Sequence, residues 1–199
     1  MRNYMNPFLR LVRSMRSTTR DDALSNTAGP TPKSSTRTAV PSPLVQNRFG
    51  ARSERELVGV HPMLVSVSRD ALAMSTVDFG IFDGIRTLEE QREYVRTGVS
   101  KTLNSKHIVQ PDGWGHAVDA VPYINGKYRW EAEPCLIVAS AFKRAAEKNG
   151  CADKIRWGGC WRMLSQITDV RVAVDVYIDA RRSQGRDAFV DMPHFELRP

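Results

Sequence analysis

The chain has no apolar run approaching the roughly 20 residues a helix needs to span a bilayer, so no transmembrane helix is expected. It also lacks the pattern of a secretory leader. The longest apolar stretch near the N-terminus, Pro7-Phe8-Leu9, is broken at once by Arg10, and Arg13 and Arg16 follow. Without a leader the chain is expected to be made and kept in a cytoplasm unless another device moves it. Cysteine is scarce. Cys135, Cys151 and Cys160 are odd in number and contain no CxxC pair, which argues against a disulfide framework and a cysteine-built zinc site and for free buried thiols. Acidic charge is scarce in one region only. Residues 1–48 hold eight basic residues against Asp21 and Asp22, a net +6, whereas the remainder carries 21 basic and 20 acidic residues, a net +1. Of the overall charge of +7, all but one unit therefore belongs to the N-terminal arm. The body is nearly neutral and gives no support to nucleic-acid binding.

What is present is ordinary globular composition: 199 residues, 41% hydrophobic and 26% charged, enough for one domain with a core. Residues 17–47 are rich in Ser, Thr, Pro and Ala and read as a flexible linker, because they bury too little surface to offset their ordering entropy. Ahead of them, Asn6-Pro7 is a capping pair for a short helix over 7–16 with Phe8, Leu11, Val12 and Met15 on one face. That helix reads either as a membrane-surface or partner-docking element or as a frayed basic arm, and the marginal stability of short isolated helices favours the second. The expected organisation is an arm over 1–48 and one domain over 49–199.

Within the domain, Pro62 marks a helix start in "HPMLVSVSRDALAMS", and Val77, Phe79 and Ile81 alternate as in a strand. Thr87 and Glu90 form a capping-box pair for a helix stopped at Gly98. "AVDAVPYINGKYRW" reads as a hairpin turning at Asn125-Gly126. A helix near 134–148, a short strand at "IRWGG", a helix near 169–182 and a last strand "HFEL" complete the chain. Mixed elements with a hairpin predict an α+β fold, a small mainly antiparallel sheet flanked by helices.

Only four histidines occur, His61, His107, His116 and His194. His107 in "NSKH", Asp119 in "GHAVDAVP" and His194 in "DMPHFEL" supply two imidazoles and a carboxylate, a donor set suited to zinc with a coordination position left open. Such a site polarises a carbonyl and acidifies water. Spacing alone does not select these three, since scattered His and Asp residues occur in any protein.

"SKH…GHAVD", followed downstream by "WGG" and "D-x-P-H-F-E-L", resembles the VanY-like D-alanyl-D-alanine carboxypeptidase family of zinc peptidases, with a Hedgehog/DD-peptidase-like fold. It is closest to the branch of phage endolysins that are L-alanyl-D-glutamate endopeptidases. "GVHPMLV", "VDFGIFDGIRTLEEQ", "GVSKTLNSKH", "INGKYRW" and "RWGGCW" are similar to that branch in the same order, so the likeness covers about Phe49 to Leu197. The resemblance implies one Zn2+ held by His107, Asp119 and His194. It implies Asp191 as the catalytic carboxylate and Arg86 as support for the substrate oxygen on which charge develops. Ser105 and Gln91 fall in matched blocks and are weaker substrate-binding candidates.

Plainer roles compete at each position. Arg86 is a candidate surface ion-pair partner of Glu89 or Glu90, Asp191 a candidate strand-start residue, and His116 a packing or outer-shell histidine. His61 reads as part of a helix start, and Trp130, Trp157 and Trp161 as core or groove wall. The sequence departs from the family spacing at one place: "IVQPDGW" puts seven residues between His107 and Gly115 where two are usual. Five extra residues must loop out at "QPDG", a good turn sequence, with Trp114 and Asp112 expected at the lip of a substrate groove.

The resemblance points to a zinc-dependent peptidase that cleaves the peptidoglycan stem peptide and acts as a phage endolysin in host lysis. It would be made in the host cytoplasm and reach the wall or periplasm after release. The alternative is a virion component, a tail or baseplate part, whose arm anchors the peptidase domain to other virion proteins. The cationic arm also suits anionic envelope polymers. The L-Ala–D-Glu bond and a D-Ala linkage both remain open as the bond cut.

Overall fold

The computed structural model describes residues 48–198. The arm, with its linker and its helix over 7–16, lies outside the described residues except for Arg48. In chain order the elements are α1 (Ala51–Glu56), α2 (Pro62–Met74), β1 (Phe79–Asp83), α3 (Leu88–Arg96), β2 (Ala117–Ile124), β3 (Lys127–Tyr128) and α4 (Ala132–Lys148). They continue with β4 (Ile155–Trp157), β5 (Arg162–Met163), a 3-10 turn (Leu164–Gln166), α5 (Val170–Ser183) and β6 (His194–Leu197). This is the expected α+β arrangement.

Local chemistry sets the ends of these elements. Thr87 Oγ1 accepts the Glu90 amide and the Glu90 carboxylate accepts the Thr87 amide, the reciprocal box that starts α3. Asp169 caps α5 through the amides of Arg171 and Val172. His61 caps α2, its Nδ1 accepting the Met63 N–H at 3.2 Å, with Pro62 at the first helical position. Asn125 (φ 53°) and Gly126 (φ 75°) both take the left-handed conformation that a two-residue hairpin turn between β2 and β3 requires. Helix α4 begins at Ala132, two residues before its expected start, and Pro134 fits in its first turn because no helical hydrogen bond is lost there. Helix α1, β5 and the 3-10 turn are too short to leave a periodicity in the sequence.

The sheet runs β1-β2-β6-β4-β5, with β3 paired to the end of β2, and every strand pairing is antiparallel. The last strand of the chain therefore lies in the middle of the sheet, between β2 and β4. Helices α2 and α4 pack on each other and on β2. Phe195 of β6 stacks on Phe142 of α4 with ring centroids 3.9 Å apart, and Trp157, Leu64, Leu72 and Ile81 are fully buried around them. Each such side chain contributes roughly 1.5–3 kcal/mol by leaving water, which holds β6 in place and with it the residues that β6 carries. All three cysteines are buried and free. Burial pushes the Cys135 thiol up to about 12, so it packs as a small apolar group. Among the described residues, no helix is long and apolar enough to cross a membrane.

Candidate active site

Asp119 on β2 and His194 on β6 are cross-strand partners, which places their side chains together on one face of the sheet. His107 comes from the long segment between α3 and β2. His194 Nδ1 lies 3.0 Å from Asp119 Oδ1, His107 Nε2 lies 3.3 Å from the same oxygen, and the two ring nitrogens are 3.2 Å apart. Two ligands about 2.0–2.1 Å from one tetrahedral ion stand roughly 3.3–3.4 Å apart, so this triangle has the dimensions of three corners of a metal site. The outer ring nitrogens fix the tautomers. His107 Nδ1 donates to the Gly84 carbonyl at 2.6 Å, and His194 Nε2 faces the Glu196 carboxylate at 3.2 Å, which is itself held by Arg156. With each imidazole neutral, its inner nitrogen would present a lone pair to the point that Asp119 also faces.

Without a cation, these surroundings favour a proton on His194. Burial disfavours an imidazolium at His194, but the hydrogen bonds of Asp119 and Glu196 override it and push its pKa up to about 10. Burial also opposes ionisation of Asp119, yet His107, His194 and Arg86 hold that carboxyl well below its usual range. The pocket favours positive charge at this point, and the three residues form a group able to bind a metal ion.

The long segment between His107 and Gly115 leaves His107 beside Asp119 and His194. Val109 pairs with Gly115, so Gln110–Trp114 form the closed tip of a small hairpin. In it the Gln110 carbonyl accepts the Gly113 amide at 2.9 Å, and Gly113 (φ 87°) takes the left-handed position. His107 is anchored ahead of that tip: its carbonyl accepts the Arg86 amide at 3.0 Å, and its amide donates to Ser105 Oγ at 3.2 Å. The tip also points elsewhere than expected. Trp114 and Asp112 do not line the cavity beside His107; Trp114 lines a separate depression against α2. Asp112 reaches His116 Nε2 at 2.8 Å, and His116 in turn stands edge-on to the cap residue His61.

The metal-binding group opens on a cavity of 370 Å³ whose walls include Tyr94, Trp130, Trp161 and Phe189. Trp157, by contrast, is core. Asp191 lines the cavity, and burial first, then the charge of Asp119, pushes its carboxyl up to about 6. Its backbone is tied to the residue that follows β4: the Asp191 amide donates to the Gly158 carbonyl at 3.0 Å. A Cβ on Gly158 would collide with the Asp191 carbonyl oxygen, which is why glycine follows Trp157.

Arg86 is no surface partner of Glu89 or Glu90. Its Nε donates to Asp83 at 2.6 Å, its Nη2 to Asp119 Oδ2 at 2.8 Å and its Nη1 to Gln91 at 3.3 Å, with Tyr94 beneath it. It thus steers Asp119 so that Oδ1 faces the histidines. Gln91 is fully buried and does not line the cavity, so it cannot meet substrate directly; it braces Arg86 and ties down Ser100 and Thr102. Ser105 does line the cavity, with its hydroxyl turned to the His107 amide.

The phage L-alanyl-D-glutamate peptidase family matches residues 45–197. The chain belongs to that family. The L-alanyl-D-glutamate peptidase of Escherichia phage T5 is 39% identical over 126 residues, which are 61% of this chain and 87% of that protein. The solved structure of the Serratia marcescens L-Ala D-Glu endopeptidase ChiX aligns with a TM-score of 0.54 at 37% identity, over 77% of this chain and 92% of that one. Within this family member, sequence reasoning passed over Asp83, Arg156 and Glu196. A signal for Glu196 was present: in a strand, residues two apart share a face, so Glu196 belongs beside His194. Arg156 and Asp83 gave none, because their partners are set by strand pairing and by a turn.

Proposed function

We propose that the chain is a zinc-dependent peptidase that hydrolyses the L-alanyl–D-glutamate bond of the peptidoglycan stem peptide, working as a phage endolysin in host lysis. The observation that carries this reading is the convergence of three candidate ligand atoms at 3.0–3.3 Å beside the half-buried Asp191 carboxyl in one cavity. His107, Asp119 and His194 would hold the ion, and two imidazoles favour zinc over calcium or magnesium. Zinc bound there supplies a Lewis acid for the scissile carbonyl and an acidified water.

The chain's own groups do the rest. Asp191 accepts a proton from the attacking water and delivers it to the leaving amine, and a carboxyl held near 6 suits both transfers. Arg86 keeps Asp119 oriented and presents positive charge to the cavity, where the carbonyl oxygen gains negative charge. Ser105 fixes the His107 backbone, and the aromatic walls exclude water from the peptide. Residues 1–48 serve as an arm outside the catalytic domain 49–199. In this reading the protein is made in the host cytoplasm and meets the wall after release.

Digestion of purified peptidoglycan with mass analysis of the products tests the reading, run with wild type, Asp191→Ala and chelator-treated protein. New L-Ala and D-Glu termini that vanish in both controls are expected, and removal of residues 1–47 should leave them in place. No cleavage by folded, zinc-loaded wild type overturns it.

A further inference from the structure

Charges around the cavity are unequally committed. Every acid there is occupied: Asp83 holds Arg86, Asp119 faces Arg86 and both imidazoles, Glu196 holds Arg156 and His194, and Asp191 is the proton carrier. Arg86 and Arg156 are neutralised by those contacts. Lys101 and Arg198 also line the cavity, both are exposed, and neither side chain has a carboxylate partner among the described residues. Lys106 lines the cavity as well, but its Nζ is tied to Gln110 Oε1 at 3.1 Å, so Lys101 and Arg198 are the two lining cations left without a polar side-chain partner among the described residues.

Their placement follows the site outward. His194, Trp161 and Phe189 form a continuous aromatic wall, with ring centroids 5.7 Å apart at each step, and Lys101 Nζ sits 4.8 Å over Phe189 at its end. Arg198 continues the face of β6 that carries His194 and Glu196, about 13 Å along the strand from His194 at the usual rise. Its amide donates to the carbonyl of Lys154, the residue just before β4, at 2.8 Å, so its backbone is fixed. A peptide laid along this wall from the metal-binding group meets positive charge. A stem peptide containing D-glutamate supplies the complement, because one carboxyl of glutamate continues the chain and the other stays free.

We propose that Lys101 and Arg198 form a subsite for the carboxylates that the stem peptide carries beyond the scissile bond, so that acidic stem peptides are cut in preference to amidated ones. This rests on the peptidase reading above and specifies its substrate class. The gain is of the size of a charge-assisted hydrogen bond at a wet surface, roughly tenfold.

The test compares two synthetic stem peptides, one with these carboxylates free and one with them amidated. Wild type should cut the acidic peptide with about tenfold higher kcat/KM, the difference lying in KM, and added salt should shrink it. The double variant Lys101→Ala/Arg198→Ala should bring the ratio close to one. Lys127→Ala, which removes one cation from the β2–β3 hairpin, should leave the ratio alone. Equal cleavage of both peptides by wild type overturns the subsite while the peptidase reading stands. A preference that survives in the double variant overturns its assignment to these residues. If neither peptide is cut, the peptidase reading fails and the subsite with it.

Discussion

The two halves of the metal-binding group are built in different ways. Asp119 and His194 face each other across paired central strands, with Phe195 stacked on α4 directly behind them. His107 hangs on a loop segment held by three hydrogen bonds, to Gly84, Arg86 and Ser105. The loop half carries the segment that is five residues longer than the spacing the family resemblance implies, and the sheet half is fixed by strand pairing. The physical reason is register. One residue added to β6 would turn His194 to the opposite face, whereas loop-closure entropy grows only slowly with length when the loop's ends are already paired. Here Val109 and Gly115 close the insertion behind His107.

This contrast orders the expected effects. Largest is the loss of a ligand: His194→Ala should leave protein that retains no stoichiometric zinc after dialysis and digests wall material at background rate. His107→Ala should match it, and a His107→Ala protein that kept wild-type zinc affinity would remove the loop half from the centre. Next comes Asp191→Asn, which should keep its zinc and lose roughly 10²–10⁴ in kcat, the usual worth of a positioned acid–base group. The pH profile sharpens that test. In the proposed mechanism Asp191 works as a carboxylate, so activity should fall as pH drops through its pKa. Its carboxyl sits at about 6, and a bound cation lowers it, so the acid limb belongs at or below pH 6. The residual rate of Asp191→Asn should lack that limb.

Smaller still is Gly158→Ala, which forces the Asp191 loop off β4. Overpacking of this kind costs about 1–3 kcal/mol, visible as a lower Tm together with lower kcat. The smallest effect belongs to the loop half. Excising Gln110–Trp114 to restore the ordinary spacing should change kcat/KM by no more than about twofold, the scale of ordinary surface changes. A large loss on that excision would mean that the hairpin tip, and not the anchors ahead of it, positions His107.

Much of the fold was legible because local chemistry and tertiary structure agree. The Thr87–Glu90 box, the Asn125-Gly126 turn and the Pro62 start each specify an element end through their own backbone geometry, and each stands where its residues predict. The extra hairpin was legible as a turn, but its direction was not: Trp114 packs toward α2 and away from the cavity because pairing of Val109 with Gly115 aims the tip. Gln91 shows the limit at a single residue. It lies in a block shared with the family, yet its position behind Arg86 follows from how α3 docks, which no local pattern encodes.

The amino-acid sequence by itself determined the donor types, the caps and turns, and the period-two face that puts Glu196 beside His194. Those depend on residue chemistry and on neighbours a few positions away. Only the tertiary structure decided that β6 enters the sheet between β2 and β4, that Asp119 then meets His194 in register, and that Asp83 and Gln91 brace Arg86. Those contacts join residues far apart in the chain, and their geometry is set by core packing around Phe142, Phe195 and Trp157, which no short stretch of sequence contains.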